Sequence, residues 1–439
     1  MADRAVSDDP AVQLQLDRLN AMAPGRDILG FERILRLLKA LGNPEQRMPP
    51  VLHVAGTNGK GSTSAYLRHI LAAQGLTAHA YTSPHLVRLN ERIRLANVLI
   101  DDAVLAQTIS DVLDASKGEL ITFFEAITCT AFLAFSRVPA DALVLEVGVG
   151  GRLDATNVVP TAAVCGVATL GIDHADFLLA PEAGVPEEPL ARIGFEKAGI
   201  AKAGVPLVTQ AYPPGAEAAI AEVAARAGAP LIRRGHEWQA EVTGGRIAYA
   251  DTHGTLDLPL PHLPGAHQAD NAALAVAMLR HQTSLAISPE AYAQGIAATR
   301  WPARLQQLDA GPLTKLAGGR RVWLDGGHNP DAGAAIGRFF QSQLVPPRLH
   351  LILGMLSTKD PAALLTPLEP LLESVSIVPP PGHEVHDHKA FVGHTSLPLH
   401  DFPGVTEALA ALPPGGEVLI AGSLYLAGEV LRLNREFPD

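Results

Sequence analysis

The sequence HVAGTNGKGS, residues 53–62, joins an apolar run that begins at Val51 to the start of an amphipathic helical pattern. A strand, a glycine loop and a helix in this order are typical of a phosphate-binding loop, because glycine N–H groups turn inward and the helix start adds its positive dipole end. Most such loops carry Ser or Thr directly after Gly-Lys, whereas Gly61 stands here, so a purely structural glycine turn is the alternative. We predict that the loop holds the phosphates of ATP through Gly56, Thr57, Asn58, Gly59, Lys60, Gly61 and Ser62, with Lys60 at the terminal phosphates and Ser62 near Mg²⁺.

Short apolar runs alternate with helical patterns on both sides of this loop. The runs lie at 51–55, 79–82, 142–147, 162–168 and 206–210, and a second series follows at 321–325, 350–353, 375–378 and 418–421. This alternation predicts an α/β protein with a P-loop NTPase-like, mainly parallel sheet domain followed by a smaller Rossmann-like α/β domain. Pro302 interrupts any helix near residue 300, so we place the domains at 1–299 and 300–439. Between 235 and 264, Gly-Gly and His-Gly pairs in a short alternating pattern indicate an antiparallel hairpin region.

Composition limits the class of protein. The chain has 439 residues, 47% of them hydrophobic, and a net charge of −11. This charge argues against an extended nucleic-acid surface. The two cysteines lie in apolar runs and indicate neither a disulfide framework nor a thiolate metal site. We see no export signal and no run long enough to span a membrane, and we expect a monomer in the reducing cytoplasm.

Several polar residues stand where strands are expected to end. Glu146 closes an apolar run, and a carboxylate at the carboxyl end of a parallel strand lies where α/β sheets bind ligands, so we expect it to ligate Mg²⁺. Helix capping or pairing with Arg152 is the alternative. Ser83 could offer a hydroxyl to the same ion, although serine before proline is common in turns. For His174, spacing alone does not decide between a metal ligand and a hydrogen-bonded side chain, and Lys197 could bind a metal only as a carbamate formed with CO₂.

Two further groups have a planar or sugar ligand as one interpretation and an ordinary structural role as the other. Phe123 and Phe124 could stack on a planar ligand or lie in the core, and Asp154 could accept hydrogen bonds from that ligand. In the second domain, Asp325 could hold a ribose or an amine, and His328 a carboxylate. An Asx turn is the alternative there.

A series of short motifs extends along nearly the whole chain. The motifs are GTNGKGS at 56–62, TSPHL at 82–86, ERI at 91–93, TFFE at 122–125, LEVGVGGRLDATN at 145–157, IDH at 172–174, EKAGI at 196–200, HQADNAALA at 267–275, WPARL at 301–305, DGGHNPDA at 325–332 and GSLYLAGEVL at 422–431. Their order is more specific than any one motif. Taken together, they resemble the motifs of the folylpolyglutamate synthase/dihydrofolate synthase family of the Mur ligase superfamily, and of the bifunctional bacterial type in particular.

The resemblance implies ATP-dependent ligation of L-glutamate to dihydropteroate and to reduced folates through an acyl phosphate. It implies one Mg²⁺ held by Ser83 and Glu146 and a second held by His174 and carbamylated Lys197. Lys60, Lys197, His174 and Arg304 would carry the catalysis, and Asn271, Arg304 and Asp325 would contact the nucleotide. The pterin would lie near Asp27, Ile28, Leu29, Gly30, Thr122, Phe123, Phe124, Glu125, Leu153, Asp154 and Ala155, and the glutamate near His328 and Ser423.

The sequence departs from the family pattern at a few places. Ala303 stands where glycine is usual and Gly327 where alanine is common, and both residues are small enough to be tolerated. The segment 177–192 is several residues longer than usual and is expected to be a surface loop. Two alternatives to a folate ligase are a Mur-type ligase for another acid, for which about 50 residues before Gly56 are too few to form the usual UDP-sugar domain, and a nucleotide-regulated binding protein that is not a ligase.

Overall fold

The structure is a computed structural model that describes residues 5–23 and 28–439. The chain folds into two compact units, which are described separately. Unit 1 comprises Met1–Pro84, Arg88–His262 and Ala269–Thr299, and unit 2 comprises His85–Val87, Leu263–Gln268 and Arg300–Asp439. The two short segments of unit 2 lie inside the predicted first domain, and the domain limits 1–299 and 300–439 themselves stay a prediction.

Unit 1 is built on an eight-stranded sheet. Its strands are β1 (Val51–Ala55), β2 (Ala78–Tyr81), β3 (Ile93–Leu95), β4 (Val98–Leu99), β5 (Ala142–Glu146), β6 (Val164–Val167), β7 (Leu207–Thr209) and β8 (Leu231–Arg233). The strand order is β4-β3-β2-β5-β1-β6-β7-β8. All neighbours are parallel except the pairs β2–β3 and β3–β4. Every residue of β1 and β5 is buried, as expected for central strands covered on both faces.

Unit 1 also contains a separate three-stranded antiparallel sheet. It consists of β9 (Trp238–Thr243), β10 (Arg246–Asp251) and β11 (Gly254–Pro259), in the order β11-β10-β9. This sheet occupies the region in which the sequence pattern predicts a hairpin. The Gly-Gly pair at 244–245 takes positive φ at both residues, which permits the tight turn between β9 and β10.

Unit 2 contains a six-stranded sheet with the order β12-β13-β17-β14-β15-β16. Its strands are β12 (Gln306–Gln307), β13 (Val322–Leu324), β14 (Leu349–Leu353), β15 (Leu372–Ile377), β16 (Leu399–Asp401) and β17 (Glu417–Ala421). Only the short edge strand β12 is antiparallel to its neighbour. The α/β class, with a mainly parallel sheet in unit 1 and a second α/β sheet in unit 2, is therefore confirmed.

The helices are α1 (Pro10–Met22), α2 (Glu32–Ala40), α3 (Lys60–Ala73), α4 (Asp102–Ser116), α5 (Phe123–Phe135), α6 (Ala175–Leu178), α7 (Pro189–Ala198), α8 (Pro214–Ala227), α9 (His267–Arg280), α10 (Pro289–Ala298), α11 (Pro312–Leu316), α12 (Pro330–Gln341), α13 (Ala362–Leu368), α14 (Val405–Ala410) and α15 (Leu424–Asn434). Many of them begin at a side-chain cap. Asp101, for example, accepts a hydrogen bond from Val104 N at 2.8 Å at the start of α4. Within residues 5–23 and 28–439, no helix combines the length and apolar character that crossing a membrane requires.

Candidate functional site

The loop between β1 and α3 depends on glycine geometry. Gly56 and Gly59 have φ of +149° and +83°, and Gly59 is the N-cap residue directly before α3. A Cβ at Gly59 would lie 3.2 Å from Cγ of Asn271 and still closer to Oδ1 of that side chain. Asn271 lies on α9 and is buried. The structure therefore brings Asn271, predicted as a nucleotide contact, against the predicted phosphate loop, with no room for a side chain at Gly59.

Two lysine side chains meet at one carbonyl oxygen of this loop. Lys60 Nζ donates to Gly56 O at 3.0 Å and to Thr57 O at 3.3 Å. Lys197 Nζ, from the last turn of α7, donates to the same Gly56 O at 2.9 Å. Two of the predicted catalytic residues, separated by more than a hundred positions in the sequence, thus share one acceptor.

Burial strongly affects Lys197. The side chain is buried, and desolvation together with the nearby charge of Lys60 lowers the pKa of Lys197 to about 7. A buried amine favours its neutral form because the low-dielectric interior penalises charge. A substantial fraction of Lys197 is therefore an uncharged amine near neutral pH, and this form is a nucleophile.

The predicted phosphate loop is hydrogen-bonded to the segment that follows β6. Thr57 N donates to Thr169 O at 2.8 Å. The Thr57 hydroxyl donates to Gly171 O at 2.8 Å and accepts from Gly171 N at 3.1 Å. This segment leads to His174, the residue directly before α6, which has φ +51° and a half-exposed side chain. The bonds through Thr57 fix the path of the chain from the phosphate loop towards His174.

The predicted first metal ligands lie at the same edge of the sheet. Glu146 is the last residue of β5, is paired with Val54 of β1 and is 4% exposed. Ser83 follows the end of β2, the next strand outward, by two residues. Because parallel strands end at one edge, the hydroxyl, the carboxylate and the phosphate loop belong to the carboxyl edge of the sheet, the usual ligand site in α/β folds.

This donor set fits a divalent metal beside a nucleotide. Mg²⁺ prefers one or two carboxylates with phosphate oxygens and waters, and Glu146 and Ser83 offer one carboxylate and one hydroxyl. Among the described residues, no group of three or more His, Cys, Asp or Glu side chains is arranged to hold a metal ion by itself.

Arg33, which the sequence analysis does not single out, contacts two of the segments predicted to bind the pterin. Arg33 forms a salt bridge with Glu125 at 2.9 Å, and its Nη2 donates to Ile28 O at 2.5 Å. Thr122 and Glu125 also cap α5 reciprocally, with Thr122 N to Glu125 Oε2 at 2.9 Å and Glu125 N to Thr122 Oγ1 at 3.2 Å. Arg33 thus ties the segment after residue 27 to the start of α5. Asp27 itself lies outside the described residues.

Some of the residues predicted to contact the pterin form hydrogen bonds or packing contacts within the protein. Asp154 is buried and accepts hydrogen bonds from Val149 N at 2.9 Å and from the Thr156 hydroxyl at 2.6 Å. Burial raises the pKa of Asp154 and these hydrogen bonds oppose the rise. Phe124 packs so closely on Gly148 that a Cβ there would overlap its ring. The pterin-binding roles of Asp154 and Phe124 stay predictions.

A cavity of about 570 Å³ lies beside the remaining members of the predicted pterin set. Ile28, Leu29 and Leu153 line it, together with Arg152 and Glu182. Its wall therefore combines apolar side chains with an ion-paired group, Glu182, from the segment before α7. The cavity does not include residues 122–125, which were predicted to contact the same ligand.

In unit 2, Asp325 organises the loop after β13. It is buried, and its two oxygens accept from Leu305 N and Gly327 N, both at 2.7 Å. Arg304 lies between Ala303 and Leu305, whose φ angles are +54° and +46°. The left-handed backbone at Ala303 explains why glycine suits this position, because L-residues with a Cβ are strained there. Asp325 thus holds the turn that carries Arg304.

His328 and Ser423 lie in two loops of unit 2 joined by a hydrogen bond between their backbones. Gly422 N donates to Gly327 O at 3.1 Å. Ser423 caps α15 through Tyr425 N at 3.1 Å, and His328 Nδ1 lies 3.0 Å from Gly326 O. The structure brings these two candidate glutamate contacts to the same side of the pair β13–β17. Their role with glutamate stays a prediction.

Sequence reasoning missed an arginine cluster. Arg152 belongs to the motif at 145–157, and the sequence offers Glu146 as its only candidate partner. In the structure it bonds Glu196 and Glu182, and Arg192 joins the same pair. Arg192 and Glu196 are four residues apart on α7, a spacing that allows ion pairing on one helix face. That spacing was the available signal for one of the contacts.

Comparisons with known proteins give a consistent picture. No model of a protein family matches the chain. It is 35% identical over 420 residues to folylpolyglutamate synthase of Lacticaseibacillus casei, covering 91% of this chain and 92% of that protein. It is 34% identical over 411 residues to dihydrofolate synthase/folylpolyglutamate synthase of Escherichia coli K12, covering 92% and 91%.

Solved structures resemble the whole chain. The Escherichia coli FolC protein in complex with DHPP and ADP gives a TM-score of 0.84 at 33% identity, covering 98% of each chain. A bifunctional folylpolyglutamate synthase/dihydrofolate synthase with Mn, AMPPNP and L-glutamate bound gives 0.82 at 30% identity, covering 98% of this chain and 99% of the other. The relatives match over nine tenths of both sequences, and the folds agree throughout: the chain belongs to the folylpolyglutamate synthase/dihydrofolate synthase family.

Proposed function

We propose that this chain is an ATP-dependent ligase that joins L-glutamate to dihydropteroate and to reduced folates. The observation that carries the proposal is the pair of amines, Lys60 and Lys197, that share Gly56 O at 3.0 and 2.9 Å in a phosphate loop. The relatives named above act on or bind these substrates, and the site has groups suited to them. A carboxylate is a poor electrophile, so amide formation needs an activation step such as phosphoryl transfer.

The reaction has two chemical steps. A carboxylate oxygen of the pterin acid attacks the γ-phosphorus of ATP, the bond to the β-phosphate oxygen breaks, and ADP leaves with an acyl phosphate formed. The α-amine of L-glutamate then attacks the acyl carbon, phosphate leaves, and the nitrogen loses a proton. Phosphoryl transfer depends mainly on positioning and charge stabilisation. Lys60 and the N–H groups at the start of α3 would supply both.

Divalent metal ions, when bound, would neutralise phosphate charge and hold the reacting oxygens in place. Ser83 and Glu146 are the residues that would hold the first ion, and their position at the end of adjacent strands supports this role. His174 and carbamylated Lys197 would hold the second. The bonds from Thr57 to the segment before His174 support this assignment, because they relate that segment to the phosphate loop.

The carbamate would form when the neutral amine of Lys197 attacks CO₂ and the nitrogen loses a proton. An ammonium has no acceptor oxygen for a metal, whereas a carbamate has two. Burial and the lowered pKa, about 7, support the reaction because they supply the neutral amine. In ¹³CO₂-equilibrated protein we expect a carbamate ¹³C signal that is absent from Lys197→Met. An unchanged signal in that variant would contradict the assignment.

The decisive experiment offers dihydropteroate and tetrahydrofolate separately with ATP and L-glutamate and follows ADP release and ligated product. We expect product with each acid, and Lys60→Ala should lower turnover by at least two orders of magnitude, because it loses the main charge at the transferred phosphoryl group. Lys39→Ala, at an exposed helix position, is the matched control. Near-normal ligation by Lys60→Ala would refute the role of the loop. ADP release that needs neither glutamate nor a pterin would favour a nucleotide-regulated binding protein.

We also propose that the protein works as a monomer in the cytoplasm. Both cysteines, Cys129 and Cys165, are buried free thiols, which suits a reducing compartment. Light scattering of the purified protein at several concentrations tests the monomeric state. A concentration-dependent rise to twice the mass would contradict it.

A further inference from the structure

Two arginines converge on the wall of the cavity that Ile28, Leu29 and Leu153 line. Arg152 belongs to the loop after β5, and Arg192 lies on α7. Both guanidinium groups bond the same two carboxylates, Glu182 and Glu196. The cavity wall thus contains a four-membered ionic cluster.

The two arginines are positioned without help from Glu182. Arg152 Nε lies 3.2 and 3.1 Å from the two oxygens of Glu196, and Arg192 Nη2 lies 3.1 Å from one of them. The Glu196 side chain is only 5% exposed. Both guanidinium groups also lie over the ring of Phe195, at 5.3 and 5.7 Å from its centre. A buried carboxylate and an aromatic face therefore hold the pair in place.

Glu182 is the replaceable member of the cluster. Its oxygens accept from Arg152 Nη1 at 3.1 Å, from Arg152 Nη2 at 2.6 Å and from Arg192 Nη2 at 2.8 Å. Its side chain is 42% exposed, and it lies in the irregular stretch between the end of α6 and the start of α7. Because Glu196 also pairs with both guanidinium groups, the buried Arg192 keeps a carboxylate partner when Glu182 moves away, and another carboxylate can then take the place of Glu182.

The net charge of the cluster indicates which kind of ligand group could replace Glu182. With Glu182 in place, two guanidinium groups balance two carboxylates. If Glu182 moves away from the arginines, Arg152, Arg192 and Glu196 together carry a net charge of +1 at a partly apolar cavity wall. The fork of a guanidinium group matches a carboxylate in two parallel hydrogen bonds. Another carboxylate would restore the balance.

We propose that Arg152 and Arg192 form a subsite for a glutamyl carboxylate, which Glu182 occupies when no ligand is bound. The proposal rests on the proposed function, because the cavity contains residues assigned to the pterin substrate. Dihydropteroate has a single carboxylate, and that group must be at the reaction centre. A folate carries at least one more carboxylate on its glutamyl part. The subsite would therefore favour glutamylated folates over dihydropteroate, with Glu182 as an internal competitor.

The test compares Glu182→Gln with Glu187→Gln, an exposed glutamate of the same segment for which the structure gives no ion pair within the described residues. Removing the competitor's charge should lower KM for tetrahydrofolate diglutamate on the order of three- to five-fold, as expected when a competing closed state is lost. Glu187→Gln should leave KM for both acids at its wild-type value, and in Glu182→Gln the ratio of KM for dihydropteroate to KM for tetrahydrofolate diglutamate should rise by the same factor. A fall in KM for L-glutamate instead would identify free glutamate as the source of the carboxylate.

Direct binding separates failure of this inference from failure of the proposed function. Calorimetric titration of tetrahydrofolate diglutamate into the protein needs no ligation, and Glu182→Gln should bind it on the order of three- to five-fold more tightly than wild type. Arg192→Lys should bind it more weakly than wild type, because lysine cannot form the two parallel bonds. Equal affinity of Glu182→Gln and wild type, with unchanged KM for every substrate, would overturn the subsite even if ligation proceeds normally.

Discussion

Replacing Gly59 with alanine tests whether the close approach of Asn271 to the phosphate loop controls the site. Two effects add at this position. The backbone has φ +83°, where an L-residue costs about 1–2 kcal/mol. The new Cβ would also lie 3.2 Å from Cγ of Asn271 and nearer to its oxygen, so the buried amide or the loop must move. Overpacking of this kind typically costs about 1–3 kcal/mol more.

Gly75 provides a matched control for the backbone effect. It also has φ +83°, but a Cβ there would have no heavy atom within 4 Å. Gly75→Ala should therefore lose only the backbone part, about 1–2 kcal/mol of unfolding free energy. Gly59→Ala should lose about 2–5 kcal/mol in the same urea titration, since both effects apply.

The double variant Gly59→Ala/Asn271→Ala isolates the contact. Removing the amide should recover much of the extra loss at Gly59, which appears as a coupling free energy in the double-mutant cycle. Calorimetric titration of ATP should show weaker binding by Gly59→Ala and unchanged binding by Gly75→Ala. Equal stability losses in the two glycine variants, with no coupling to Asn271, would refute the reasoning.

Three further predictions test single features of the structure. Ala303→Gly should raise the unfolding free energy of unit 2 by up to ~1 kcal/mol, because it relieves the φ of +54°, whereas Ala335→Gly inside α12 should lower it by ~1 kcal/mol in the same denaturant titration. Glu125→Gln should lower the unfolding free energy by about 1–3 kcal/mol, since the buried partner of Arg33 loses its charge, whereas Glu119→Gln, in an exposed pair, should change it by less than about 1 kcal/mol. Burial lowers the pKa of Lys197 from 10.5 to about 7. Between these pH values the unfolded chain therefore binds more protons than the folded protein. In CO₂-free buffer, the unfolding free energy of wild type relative to Lys197→Met should rise with pH by up to ~1.4 kcal/mol per pH unit. Parallel stability curves for these two proteins across pH 7–10 would contradict the buried neutral amine.

The sequence pattern predicts the parts of the site whose positions follow from where the parallel strands end. Glu146 ends β5 and the predicted phosphate loop follows the adjacent parallel strand β1, so their common edge is expected from the alternation of strands and helices. The antiparallel sheet before α9 is likewise indicated by its glycine pairs. These features depend on local sequence and on the regular geometry of a parallel sheet.

Contacts that depend on tertiary packing could not be predicted in this way. Arg33 reaches Glu125 across 92 positions, and no local pattern around either residue indicates the pairing. The shared acceptor of Lys60 and Lys197 likewise requires the last turn of α7 to pack beside the phosphate loop. Side-chain contacts between distant segments are set by the packed core, which hydrophobic periodicity does not encode residue by residue.

Contacts with the loop after β5 fix the position of Lys197 at the end of α7. The loop after β5 contacts the C-terminal end of α7. Arg152 N donates to Glu196 O at 2.8 Å, and Asn157 Nδ2 donates to Gly199 O at 3.0 Å. A Cβ at Gly199 would overlap Arg152, so the two backbones touch. The register of Lys197 is therefore set by the loop after β5. The irregular segment before α7 contributes to the wall of the neighbouring cavity, whereas Lys197 lies beside the predicted phosphate loop.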